Sequence, residues 1–459
     1  MYQPPHHCHW QALPEHGCEL SRWLEENKAA LRSIDTPIFG RVTRVTGTTI
    51  EAQGLAAPVG AQCSIELHDS SQQMVAEVVG FVAETTVLIP FQSVEGLSPG
   101  ARIVMTESRS SGRLSPELIG RVVDGFGEPL DGAGPIRYQS KANLEGAAVN
   151  PMERGPIRDV LDTGIKAINT ALTIGRGQRI GLIAGSGVGK SALLAMLTRN
   201  TEADVVVIAL IGERGREVRD FIGQTLGKEG LARAVVVAAP ANVSPVERIK
   251  AAKLGHLISE YFREQGKHVL LLFDSLTRVA HAQREIGLAS GEPPTTKGYP
   301  PSVFSTIPNF IERPGVGRGG RGSITGFYTI LAEGDDNTDP IVDISRASLD
   351  GQIMLTRQLA DAAHYPAIDL AGSISRVANS LLEPTQLELA QRLRRLWTLY
   401  TQKQDLINVG AYEENSNPDL DEAIRYRQDL SIFLRQGERE RVPFAEGWRQ
   451  LGLLLGGER

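Results

Sequence analysis

Between residues 39 and 52 apolar and polar side chains alternate in a β-branched-rich run, with Gly47 marking a turn. Residues 63–67, 74–81 and 85–90 add further short strand-like segments. Several short strands at this spacing predict a small closed β-barrel over residues 36–110. Downstream the texture changes. Residues 205–211, 234–238 and 269–273 are continuous apolar runs, the pattern of parallel strands buried on both faces. Helical periodicity at 216–226 and 245–265 falls between them, predicting an open α/β sheet within residues 111–380. Its ligand is expected at the carboxyl ends of the strands. Beyond Leu382 the pattern is helical. Leu389, Leu393, Leu396, Trp397 and Tyr400 share one face of a helix starting after Glu383-Pro384, and 421–434 and 444–455 read as two more. Residues 381–459 are thus expected to form a C-terminal helical domain. Ahead of the barrel, residues 18–34 place Leu20, Trp23, Leu24, Leu31 and Ile34 mostly on one face. That face suits a partner-docking segment within residues 1–35, or simple packing on the next domain.

The most informative stretch joins a short apolar run, 179–184, to a helix expected from Ser191 onward through a glycine-rich turn. Gly185, Ser186, Gly187, Val188, Gly189, Lys190, Ser191 and Ala192 form a phosphate-binding loop in its required strand–turn–helix context. Glycines let backbone N–H groups close around phosphates, Lys190 supplies a point charge, and the Ser191 hydroxyl is placed to hold Mg²⁺. Ala184 stands where the first glycine of the pattern is usual. Asp274 ends an apolar strand and suits the acidic residue on the metal; Glu213 follows another and suits a group that polarises the attacking water. The plainer account of Glu213 is a helix-start carboxylate favoured by the macrodipole.

Composition narrows the class. The chain has 459 residues, more than one ordinary core, and a net charge of -6, which gives no general attraction to nucleic acid or anionic membrane. Its three cysteines, Cys8, Cys18 and Cys63, form no disulfide framework and fit a reducing compartment. No signal peptide and no membrane-spanning run is read. His6, His7, Cys8, His9, His16 and Cys18 invite a metal reading, but their spacing matches no defensible ligand pattern.

The phosphate loop, Gly212-Glu213-Arg214-Gly215-Arg216-Glu217, Gly291-Glu292-Pro293-Pro294, Gly334-Asp335-Asp336 and His364 to Asp369 together resemble the type III secretion ATPases. These are relatives of the catalytic subunits of rotary ATP synthases. Within that family Gln62-Cys63-Ser64-Ile65-Glu66, the segment 76–81 and residues 268–278 are most similar to the flagellar export ATPases. The virulence injectisome ATPases are the alternative. The resemblance implies a RecA-like ATPase domain with a mostly parallel sheet between the barrel and the C-terminal helices. It implies ATP with Mg²⁺, Lys190 and Ser191 on phosphate and metal, Asp274 at the metal, Glu213 as catalytic glutamate and Arg214 as a phosphate contact. Tyr365 matches the adenine-stacking aromatic, and Arg376 the arginine finger that enters a neighbouring subunit's site. The plainer accounts are a turn tyrosine before Pro366 and a surface arginine.

A finger supplied in trans implies a homohexamer. The resemblance further implies a central-stalk protein in the ring, a peripheral-stalk regulator at the N-terminus, export-gate membrane proteins, and secreted substrates with their chaperones. The expected place is the cytoplasm, peripherally at the inner-membrane export apparatus. Residues 291–301 and 313–322 are candidates for the inner face of the ring. The second carries Arg313, Arg318 and Arg321 among glycines and reads as a solvated flexible loop, or as a grip on an acidic stalk or substrate. Two other readings compete with export. One is a subunit of a rotary ATP synthase, which would need an unlike partner for its finger. The other is a nucleic-acid translocase, which would need stacking aromatics in a basic barrel, whereas the barrel here offers only Phe39, Phe81 and Phe91.

Overall fold

A computed structural model describes residues 39–67, 73–147, 149–185, 187–332 and 338–456. The N-terminal segment 1–35, the His-rich cluster, Ser186 and Gly334-Asp335-Asp336 lie outside the described residues.

The alternating segments close into a six-stranded antiparallel barrel. Around it run Phe39–Thr46, Thr49–Gln53, Thr85–Pro90, Gln73–Val82, Gln62–Glu66 and Arg102–Glu107, the last pairing back onto the first. Val42, Ile50, Ala52, Ile65, Met74, Val78 and Leu88 fill its interior, which is why every second residue is apolar. Arg102–Glu107 is not among the strands read from sequence, because its few apolar positions are flanked by charge. The barrel is fastened to the next domain by Lys250, whose ammonium lies 2.9 Å from Glu77 and over the rings of Phe91 and Phe126.

The central domain is a sheet of nine strands among the described residues. Its main path runs Ile368–Ser375, Gly351–Leu355, Arg179–Ala184, Ser323–Leu331, His268–Asp274, Val205–Ile211, Ala234–Ala239 and Val122–Val123. All pairs along the path are parallel except the one between Gly351–Leu355 and Ile368–Ser375. Side chains from the two faces enter separate cores, so the central strands are apolar without alternation. One face carries Lys190–Asn200 and the C-terminal helices Pro384–Asn408, Pro418–Leu434 and Phe444–Leu455. The other carries Pro245–Glu264, Leu276–Ala289 and Pro301–Glu312. The helix expected at 216–226 is present but irregular and runs further: Gly215–Asp220 widens at Phe221–Leu226 and resumes as Gly227–Leu231, with Gly227 at φ 66°.

The arginine- and glycine-rich segment 313–322 departs from the solvated loop expected of it. Gly315–Val316 pairs with the start of Ser323–Leu331, and Gly319 N–H donates to the Glu153 carbonyl at 3.0 Å. Arg313 forks onto Glu260 at 2.7 and 2.9 Å, and Arg318 pairs with Glu153 at 3.2 Å. A Cβ on Gly322 would fall 2.4 Å from the Arg263 carbonyl oxygen. Some of these glycines therefore serve close packing rather than mobility.

Candidate functional site

The carboxyl ends of the parallel strands open onto a cavity of about 600 Å³. Arg179–Ala184 delivers the chain to the phosphate loop, and Lys190–Asn200 leaves it. Gly187 at φ 78° and Gly189 at φ 95° hold a turn that side chains rarely adopt. Gly185, Gly187, Gly189, Lys190, Ser191 and Ala192 line the cavity, while Val188 is buried beneath it. Unpaired N–H groups and the dipole of the helix favour an anion here.

Three charges converge on this end. Lys190 Nζ donates to Asp274 Oδ1 at 2.7 Å and to Glu213 Oε1 at 3.4 Å. Asp274 reaches it because His268–Asp274 pairs with both Val205–Ile211 and Ser323–Leu331. Glu213 reaches it from the turn after Val205–Ile211, where Gly212 sits at φ 72° with its α-carbon against the Arg278 side chain. Burial disfavours a charged Lys190, but the two carboxylates outweigh it and hold the ammonium above its ordinary pKa. Burial pushes the Glu213 carboxyl up, Lys190 opposes this, and Asp274 reinforces it.

Ser191 and Asp274 both face the cavity and are hard oxygen donors of the kind Mg²⁺ takes. Among the described residues no group of three His, Cys, Asp or Glu is placed to hold a metal unaided. The donor set therefore fits a cation that draws its remaining ligands from phosphate and water.

The other residues expected at the site divide. Arg214 lines the cavity and pairs with Glu217 at 3.4 Å. Tyr365 packs against the phosphate loop: a Cβ on Gly189 would meet its ring at 3.4 Å. Its ring is exposed, its hydroxyl donates to the Ala360 carbonyl at 3.2 Å, and its own carbonyl accepts from Gln436 N–H at 2.9 Å. Gln436, just beyond Pro418–Leu434, is itself buried, with side-chain bonds to Lys166 N–H and the Gly164 carbonyl. Arg376 does not join this cavity. It is exposed, donating to the Arg346 carbonyl at 3.2 Å.

Arg278, Arg357 and Thr329 were not singled out from the sequence. Arg278 and Arg357 line the cavity, and Arg278 draws the Glu213 pKa downward against burial. Thr329 Oγ1 donates to Asp274 Oδ1 at 2.5 Å. Arg278 follows Asp274 by one helical turn, a spacing that is a usable signal; Thr329 belongs to a strand with no motif of its own. A second cavity, of about 670 Å³, lies among Arg154, Arg179, Lys253 and Arg313. There Arg313 is taken by Glu260, Arg179 by Asp350 and Lys253 by Glu145, so it offers less free positive charge to a triphosphate.

Known proteins match most of the chain. Residues 164–375 match the ATP synthase alpha/beta family nucleotide-binding domain, 42–107 its beta-barrel domain, and 382–452 the T3SS EscN ATPase C-terminal domain. The flagellum-specific ATP synthase of Pseudomonas aeruginosa is 51% identical over 442 residues, covering 95% of this chain and 98% of that one. That of Salmonella typhimurium is 49% identical, again covering 95% and 98%. The chain belongs to the type III secretion ATPases of the ATP synthase alpha/beta family. It is an ATP-hydrolysing enzyme, as other members of that family are. A solved structure of the assembled family member EscN, from the enteropathogenic E. coli type III secretion system, superposes with a TM-score of 0.85 at 38% identity. It covers 90% of this chain and 99% of EscN. EscN in complex with its central stalk EscO gives 0.82 at the same identity and coverage.

Proposed function

We propose that this ATPase works as a homohexameric ring that energises type III export of flagellar proteins, freeing them from chaperones and delivering them to the export gate. The observation that carries the ring is the division of the charged groups. Lys190, Glu213 and Asp274 converge in one cavity, while Arg376 stands exposed outside it. A finger placed this way serves a neighbour's site, and such a group is worth ~10³–10⁵ in kcat. The assembled state and the central stalk of EscN support a like assembly and a stalk partner here. The flagellar branch is favoured over the injectisome because two flagellum-specific relatives reach 51% and 49% identity, against 45% for the type 3 secretion system ATPase of Xanthomonas euvesicatoria.

At each site the backbone of 185–189 and Lys190 would bind the phosphates, and Tyr365 would stack on the adenine. Ser191 and Asp274 would hold Mg²⁺, which would supply positive charge against the phosphates. Glu213 would orient the attacking water and accept its proton, a role that its raised pKa suits. Arg214 would add a phosphate contact. Residues 1–35 would dock a peripheral-stalk regulator, ahead of domains at 36–110, 111–380 and 381–459. Among the described residues no helix is long and apolar enough to cross a membrane, which accords with peripheral attachment to the inner-membrane export apparatus.

The test is ATPase rate against protein concentration for wild type, Glu213→Gln, Arg376→Ala and an equimolar mixture of the two variants. Rising specific activity, near-dead single variants and partial recovery on mixing are expected, because some interfaces then pair an intact Glu213 with an intact Arg376. A concentration-independent rate with Arg376→Ala fully active would overturn the shared site.

A further inference from the structure

Asp274 Oδ1 takes two hydrogen bonds, from Lys190 at 2.7 Å and from the Thr329 hydroxyl at 2.5 Å. Among the described residues its Oδ2 accepts none. The two donors differ in kind. Lys190 sits at the end of a flexible stem, and a bound triphosphate competes for its ammonium. Thr329 is locked into the middle of the sheet, between Arg179–Ala184 and His268–Asp274, and is fully buried. It cannot be drawn away.

The hydroxyl is out of character with its surroundings. Tyr328 and Ile330 flank it in the strand and enter one apolar core, while Phe327, two residues away on its own face, enters the other. Valine would keep the shape and has comparable or better strand preference. A buried hydroxyl is costly unless bonded. Its single proton has two acceptors within reach, Asp274 Oδ1 at 2.5 Å and the Phe273 carbonyl at 3.3 Å. The shorter, charge-assisted bond takes it.

We infer that Thr329 is a positioning residue for metal binding: its hydroxyl fixes the rotation of the Asp274 carboxylate through Oδ1, leaving Oδ2 for the cation's shell once Lys190 turns to phosphate. This rests on the assignment of Asp274 to the metal. Groups that orient a metal-binding carboxylate typically contribute about 10–100-fold to metal affinity.

The experiment uses the full chain and two readouts. Mn²⁺ binding to the ADP-loaded protein is titrated by the EPR signal of free Mn²⁺, and ADP binding is measured separately in EDTA. Thr329→Val is expected to weaken Mn²⁺ by about tenfold and leave metal-free ADP affinity unchanged, with Thr329→Ser restoring most of the loss. Thr329→Ala carries the same expectation and covers a Val variant that does not fold; thermal melting checks each preparation. Mn²⁺ affinity at the wild-type value in Val and Ala, or an equal loss in Ser, would overturn the inference. Asp274→Asn separates the two levels. If it weakens Mn²⁺ and Thr329→Val does not, the role of Thr329 falls alone. If it too leaves Mn²⁺ binding intact, the metal assignment of Asp274 falls with it.

Discussion

The Lys190 ammonium serves two carboxylates, and a triphosphate has to compete with them for it. Removing the ammonium leaves Asp274 and Glu213 facing one another without their shared cation. Lys190→Ala is therefore expected to lower kcat/KM by about 10²-fold or more in steady-state ATPase assays, the usual scale for one lost charge-stabilising donor. Glu213 must be ionised to take a proton, and its pKa is raised by burial. The acid limb of the kcat/KM profile should thus lie above the ordinary glutamate range, and a limb at or below that range would remove Glu213 from the role. A separate carboxyl sets a stability effect. Glu247 is pushed up to about 7 by burial and by Asp124, from an ordinary value of 4.5. A folded-state pKa raised in this way gives stability that is full below the unfolded value and fades as pH rises through about 7. Glu247→Gln should raise the melting temperature at pH 8, reflecting about 1–3 kcal/mol, and change little at pH 4.

At the scale of elements, the barrel and the sheet domain meet through a pair with almost no water around it. Lys250 is 3% exposed, with Glu77 as its carboxylate partner. Glu77→Ala would strand that ammonium and cost about 3–5 kcal/mol, which differential scanning calorimetry would register as a lower, less cooperative transition. Elements also set how much could be read in advance. The barrel's alternation and the apolar central strands were legible because burial on one face or two writes itself into local composition. Lys190, Ser191 and Asp274 were legible because a loop and a strand end carry them in contiguous motifs. Thr329 was not, since only the register that sets Phe273 beside Tyr328 brings it to Asp274. The segment 313–322 misled for a related reason: its glycines read as freedom, whereas the approach of Gly322 to a distant carbonyl needs the missing side chain.

Over the whole molecule, the proposed ring would let the cavity that holds Lys190, Glu213 and Asp274, but not Arg376, bind nucleotide before a neighbour completes it for catalysis. Arg376→Ala should then lower kcat by about 10³-fold or more while ATP affinity, followed by equilibrium binding, changes little. A parallel loss of affinity would mean that Arg376 acts within its own chain. The residues that mark the family are scattered over most of the length, so the whole pattern identifies it rather than one motif.

Tyr365 stands between two listeners. Its ring lies on the phosphate loop, and its carbonyl is held by Gln436, in the link between the last two helices. A displacement of those helices that moved Gln436 would reach, through this bond, the residue proposed to stack on the base. If Tyr365 receives the base as proposed, thermodynamic reciprocity would let a partner on the C-terminal helices and the nucleotide alter one another's affinity by the same factor.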